Sequence, residues 1–137
     1  MGMFCIYSCT SCGHEVTTWG PQEFYRDASG NRQPYGHPGP CSEEARSRGI
    51  AGFEAQKYCT RCGKTQRVIL GETQAPCLDP IEAWRSCGGL DAASLRGAAR
   101  CPDCGSEALL LTLPEDRPVA CPRCGRGVMV LSGGGVG

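Results

Sequence analysis

Aromatic residues are scarce in this chain, at 7% of 137 positions, and so are long apolar runs. A chain so poor in large apolar side chains buries little surface, and lobes below about 40 residues usually need metals or disulfides to stay folded. Net charge is also missing, with 14 basic residues against 14 acidic ones. That balance argues against a strong general affinity for nucleic acid or an anionic membrane surface. No stretch reaches the ~18 consecutive apolar residues of a membrane span. The segment Met1-Gly2-Met3-Phe4-Cys5-Ile6 lacks the basic-then-apolar pattern of a secretory leader. Ile6 stands where N-myristoylation requires Ser or Thr. The expectation is a protein of the reducing cytoplasm, without a membrane partner.

What the chain has instead is 20 glycines, 10 prolines and 12 cysteines. Eight of the cysteines fall in four copies of C-x-x-C-G: Cys9–Gly13, Cys59–Gly63, Cys101–Gly105 and Cys121–Gly125. The two-residue spacing turns both thiolates toward one tetrahedral ion at about 2.3 Å. The closing glycine lets the turn enter positive φ without a Cβ penalty. Each copy is half of a four-ligand site, so the four predict two metal ions, with Cys9, Cys12, Cys59, Cys62, Cys101, Cys104, Cys121 and Cys124 as ligands. Cysteine in a chain without a leader points to metal rather than disulfides.

The last two copies lie 16 residues apart, within the usual window for a single zinc site. Between them, Ala108–Leu113 is an apolar run of strand length, and Pro114–Pro118 reads as a turn. Gly127–Leu131 is a β-rich exit. Knuckle, strand, turn, knuckle, strand over residues 99–131 resembles the zinc ribbon family. The first two copies are each flanked by β-prone segments: Met3–Tyr7 and His14–Trp19 around the first, Phe53–Tyr58 and Thr65–Leu70 around the second. Residues 1–71 therefore resemble a second ribbon, interrupted by an insertion of about 20–52.

The resemblance implies sequential pairing: Cys9 and Cys12 with Cys59 and Cys62, and Cys101 and Cys104 with Cys121 and Cys124. The fold expected is small, metal-stabilised and mainly β, with two four-cysteine zinc ribbons (1–71 and 101–131) joined by a short helical connector (72–100). Within the insertion, Ser42 caps a short helix that ends before Gly49. In the connector, Asp79-Pro80-Ile81-Glu82 starts a helix that stops near Cys87, and Asp91 starts a second that runs to about Ala99. The Gly-rich residues 132–137 read as a flexible tail.

The remaining potential ligands are fewer and less patterned. His37, Cys41, Cys77 and Cys87 could form a third metal site, because His37-x3-Cys41 has ligand-like spacing. Cys77-x9-Cys87 does not resemble a knuckle, and free cysteines commonly serve as small buried side chains. Cys5 shares a strand face with Cys9 and reads as a packing residue.

Four thiolates leave no open coordination position, which argues against a zinc hydrolase. A non-catalytic zinc-binding adaptor, or accessory protein, that contacts another macromolecule is expected, with protein as the partner and no small-molecule substrate. Lys57, Arg61, Lys64 and Arg67 bracket the second knuckle around Tyr58. Basic side chains with an aromatic among them offer the alternative of a nucleic-acid contact, and ribbons of the transcription and translation machinery, which this chain resembles at the motif level, often carry one. The segment Tyr7–Gly13 also resembles the opening of rubredoxins, which implies an iron-bound electron carrier as a further alternative.

Overall fold

The computed structural model describes residues 2–89 and 100–136. The protein is mainly β, as expected. Its strands are β1 (Met3–Cys9), β2 (Glu15–Arg26), β3 (Arg32–Pro34), β4 (Ile50–Cys59), β5 (Thr65–Cys77), β6 (Leu109–Leu110) and β7 (Met129–Val136), with helices α1 (Glu43–Arg48) and α2 (Pro80–Ser86). They form one sheet in the order β5-β4-β2-β1-β7, with β3 on β2 and β6 on β4.

The first knuckle is the turn between β1 and β2, which pair antiparallel from Met3↔Gly20 to Ser8↔Glu15. The second is the turn between β4 and β5, from Ile50↔Cys77 to Tyr58↔Thr65. The two hairpins join edge to edge through β2 and β4, with Trp19 opposite Gln56 and Phe24 opposite Gly52. Gly20 allows that contact, since a Cβ there would lie 2.5 Å from the Ala55 Cβ.

Both helices form where the caps predict them. The Ser42 side chain accepts a hydrogen bond from the Ala45 N–H at 3.0 Å, and the Gly49 N–H closes α1 on the Ala45 carbonyl. Asp79 accepts from the Ile81 N–H at 3.0 Å, with Pro80 at the first helical position. The second connector helix expected from Asp91 to Ala99 lies outside the described residues. The insertion is ordered structure: β2 runs on to Arg26, β3 pairs with it, and α1 packs beside them. Tyr25, Tyr35, Ala45, Ile50, Phe53 and Ala83 bury together there. The Trp84 ring meets Phe53 edge-on at 5.1 Å.

The strands of the C-terminal half pair with the N-terminal hairpins. β7 pairs with β1 from Met3↔Val136 to Cys9↔Met129, and β6 pairs with β4 at Tyr58↔Leu110 and Cys59↔Leu109. Residues 132–136, read as flexible, belong to β7. Their glycines are what allow this: a Cβ on Gly134 would lie 2.7 Å from the Phe4 carbonyl oxygen, and the Phe4 ring covers Gly135. The expected strand over Ala108–Leu113 shortens to Leu109–Leu110.

Charge is buried mid-sheet. Glu54 is 0% exposed. It accepts from Arg32 Nε at 3.0 Å on one oxygen and from Arg67 Nη2 on the other. Removing one partner of a fully buried pair costs roughly 3–5 kcal/mol. Here both guanidinium groups keep some water. Glu54→Gln is therefore expected to lower unfolding stability of the metal-loaded protein by about 2 kcal/mol in a denaturant titration. No change would show that the arginines are held by water alone.

Candidate metal centres

All four knuckles have the same local geometry. The closing glycines sit at φ of 74°, 75°, 70° and 67° for Gly13, Gly63, Gly105 and Gly125. Each donates its N–H to the carbonyl of the first cysteine of its knuckle, at 2.9–3.3 Å. The turn also aims amides at sulfur: Ser11 and Cys12 N–H donate to Cys9 Sγ at 3.3 and 3.4 Å, and Arg123 N–H to Cys121 Sγ at 3.4 Å.

The eight thiols gather into two groups. Cys9, Cys12, Cys121 and Cys124 form one, and Cys59, Cys62, Cys101 and Cys104 the other, all sulfurs of a group lying within 4.8 Å of one another. This corrects the sequential pairing: the first knuckle joins the fourth, and the second joins the third. Across the first group, Cys9 Sγ lies 3.5 Å from Cys124 Sγ and Cys12 Sγ 3.7 Å from Cys121 Sγ. Across the second, Cys59 to Cys104 is 3.6 Å and Cys62 to Cys101 is 3.8 Å. A tetrahedron of sulfurs around an ion at about 2.3 Å has edges of about 3.8 Å. Both sets fit one tetrahedral ion.

The pairing follows from the backbone. Thr10 N–H donates to the Val128 carbonyl at 3.0 Å, and Thr60 N–H to the Ala108 carbonyl at 3.0 Å. The two centres therefore have equivalent construction. Each takes one Cys-Thr-x-Cys-Gly knuckle, whose threonine amide bonds across, and one Cys-Pro-x-Cys-Gly knuckle, whose proline has no amide to offer. Two proline knuckles facing one another would both lack this donor. That asymmetry is visible in the sequence, at Thr10 and Thr60 against Pro102 and Pro122.

The centres also touch. A Cβ on Gly63, beside Cys62 of one centre, would lie 2.3 Å from the Cβ of Pro122, which follows Cys121 of the other. Tyr58, 0% exposed, packs with Cys9 and Cys121 of one centre and adjoins Cys59 of the other in sequence.

The thiols are electrostatically unequal. Backbone N–H groups of Gly127 and Arg126 bring the Cys124 thiol down to about 6. At Cys59 burial raises the pKa, but donors from Cys62 and Arg61 outweigh it and hold the thiol at about 7. The His14 amide lowers Cys12, yet burial and contacts with Cys9, Cys124 and Cys121 push it up to about 11. Cys62 rises to about 11 for like reasons, after the opposing Lys64 amide. A site in which some thiols ionise easily and their neighbours resist a second charge is one that a bound cation would complete.

No family model matches the chain, and no match was found among curated proteins or solved structures.

The other sequence-derived residues do not converge. Among the described residues, His37, Cys41, Cys77 and Cys87 form no metal-binding group. Cys41 Sγ donates to the Pro34 carbonyl at 3.2 Å, and His37 Nδ1 lies 3.8 Å from a Glu23 oxygen. Cys77 and Cys87 pack against the core beside the helices. Cys5 is buried with Tyr7 and Cys9, as a packing residue should be. The basic surface at the second knuckle is also corrected. Tyr58 is fully buried and cannot stack a base, and Lys57 is 2% exposed. Arg67 pairs with Glu54, and Lys64 with Asp103 at 3.3 Å. Arg61 is exposed.

Proposed function

We propose that this chain is a non-catalytic zinc protein, holding one structural zinc ion in each four-cysteine centre and acting as an adaptor for another protein. The observation that carries the reading is the closed donor set: four thiols at tetrahedral separation leave no position for a reacting water or substrate. Soft thiolate donors in a tetrahedral set suit zinc or iron. Elemental analysis of protein purified without added metal is expected to return two zinc ions per chain and a colourless solution. Visible absorption from iron held by thiolates would move the reading to electron transfer.

Protein is preferred over nucleic acid as partner because formal charge is balanced and because Tyr58 and Lys57 are buried. Retention on DNA or RNA at physiological salt is expected to be undetectable. Micromolar binding that is lost in an Arg61→Glu, Lys64→Glu double variant would overturn this preference.

A further inference from the structure

Two buried hydroxyls, those of Tyr35 and Tyr58, have no hydrogen-bond partner among the described residues. A phenol that gives up water without gaining a partner destabilises the fold. The two sit in different surroundings. Tyr35 packs with Tyr25, Ala45, Ile50, Phe53 and Ala83 in the cluster beside the helices. Tyr58 lies among sulfurs. It shares a cluster with Cys9 and Cys121, and Cys124 packs against that cluster. On β4 it leads directly into Cys59. Burial raises the pKa of its phenol, and the charges of Cys121, then of Cys59 and Cys62, raise it further. The hydroxyl therefore keeps its proton at neutral pH and is able to donate it to an acceptor.

One nearby sulfur has room for a donor. In the first knuckle, Cys9 Sγ accepts two amides, from Ser11 at 3.3 Å and Cys12 at 3.4 Å. Cys121 holds the same place in the fourth knuckle. Among the described residues it accepts one amide, from Arg123 at 3.4 Å. A thiolate holding a metal ion is a stronger acceptor than a neutral thiol, because its charge assists the bond.

We infer that Tyr58 is a positioning residue of the Cys9/Cys12/Cys121/Cys124 centre: in the metal-loaded protein its hydroxyl donates a hydrogen bond to the Cys121 thiolate. A donor without an acceptor and a sulfur short of a donor lie in one cluster, and each supplies what the other lacks. The bond disperses charge on the sulfur and fixes the fourth knuckle against β4. Partners that bond to a metal's ligands in this way typically matter by roughly 10- to 100-fold in metal affinity. The inference rests on the metal reading proposed above.

The test compares wild type, Tyr58→Phe and Tyr35→Phe as full chains. Phe keeps the ring and removes only the oxygen. Each protein is loaded with zinc, its ions are counted, and release is followed against a competing chelator. A second sample of each is loaded with cobalt(II) to read its sulfur-to-cobalt charge-transfer absorption. Tyr58→Phe is expected to hold two ions at saturation. It should release one of them at a chelator concentration roughly tenfold lower than wild type, with the other unchanged. Its charge-transfer absorption should move to longer wavelength, because a sulfur relieved of a hydrogen bond donates electron density to the metal at lower energy. Tyr35→Phe is expected to match wild type in both measurements. A wild type that binds no metal would overturn the proposed centres and this inference together. A Tyr58→Phe protein that matches a metal-loaded wild type in release and in spectrum would overturn this inference alone. So would equal shifts in the two variants, which would report only the loss of a buried hydroxyl.

Discussion

Cys12→Ser combined with Cys124→Ser is expected to cost one metal ion per chain, whereas Cys12→Ser combined with Cys62→Ser is expected to cost both. The first pair removes two ligands from one centre and leaves Cys59, Cys62, Cys101 and Cys104 whole. The second pair removes one ligand from each. A three-thiolate remnant opens a coordination position and loses much of its affinity, so partial occupancy falls steeply when free metal is limiting. Sequential ribbons predict the opposite order, with Cys12/Cys62 as the mild combination. Metal counting on the two double variants, purified side by side, therefore decides the pairing. Equal losses in both would point either to the first knuckle joining the third and the second the fourth, or to centres that do not survive without one another. The contact of Gly63 on Pro122 gives such coupling a physical route, so the single variants belong in the same series.

The secondary structure around the knuckles was largely legible in the sequence because its causes are local. The knuckle turns need only two cysteines and a glycine able to take positive φ. α1 and α2 need a capping side chain and a stop, and Ser42, Gly49, Asp79 and Pro80 provide them. The eight cysteines of the two groups were legible for the same reason.

Which knuckle meets which was not, because that depends on strands far apart in the chain. Spacing favours the nearest partner, since a short loop costs less entropy to close. The ladder of β1 with β7, seven matched residues long, overrides that preference. Its signal in the sequence is weak, because Ser132-Gly133-Gly134-Gly135 shows no alternation of apolar residues. It becomes a strand only because Phe4 and Ile6 supply the side chains it lacks. Lys57 and Tyr58 misled in the other direction. A lysine and an aromatic among basic neighbours read as an exposed contact, yet β4 lies between two other strands and both side chains are buried. The Thr-type and Pro-type knuckles were the one usable clue. They favour Thr-type with Pro-type, since only that pairing gives each centre one such donor, but they do not choose between the two crossed arrangements.

Stripping the metal is expected to abolish the cooperative thermal transition and the near-UV signal of Tyr58. Structural zinc in small domains is worth roughly 10–16 kcal/mol apparent per ion. That is as large as the whole net stability of an ordinary domain, about 5–15 kcal/mol. The ligands are themselves core: Cys9 and Cys121 pack around Tyr58, and Cys59 and Cys101 pack with Leu109. Without an ion, four thiols within 4.8 Å must either share protons or repel, and the low Cys124 and Cys59 pKa values make ionisation near neutral pH hard to avoid. The two centres should not empty together under a limiting chelator. The Cys12–Cys121 closure spans 109 positions and the Cys62–Cys101 closure 39. Loop entropy alone then makes the longer closure about 0.9 kcal/mol less favourable. The Cys9/Cys12/Cys121/Cys124 centre is expected to release its ion first, freeing β7 from β1 while β4, β5 and β6 stay joined. Trp84, which packs on Phe53 beside the helices, should report this step least. Near-UV circular dichroism and released zinc, followed through one chelator titration, measure both. A fully stripped protein that still melts in one sharp transition would show that the β-sheet holds without its metals.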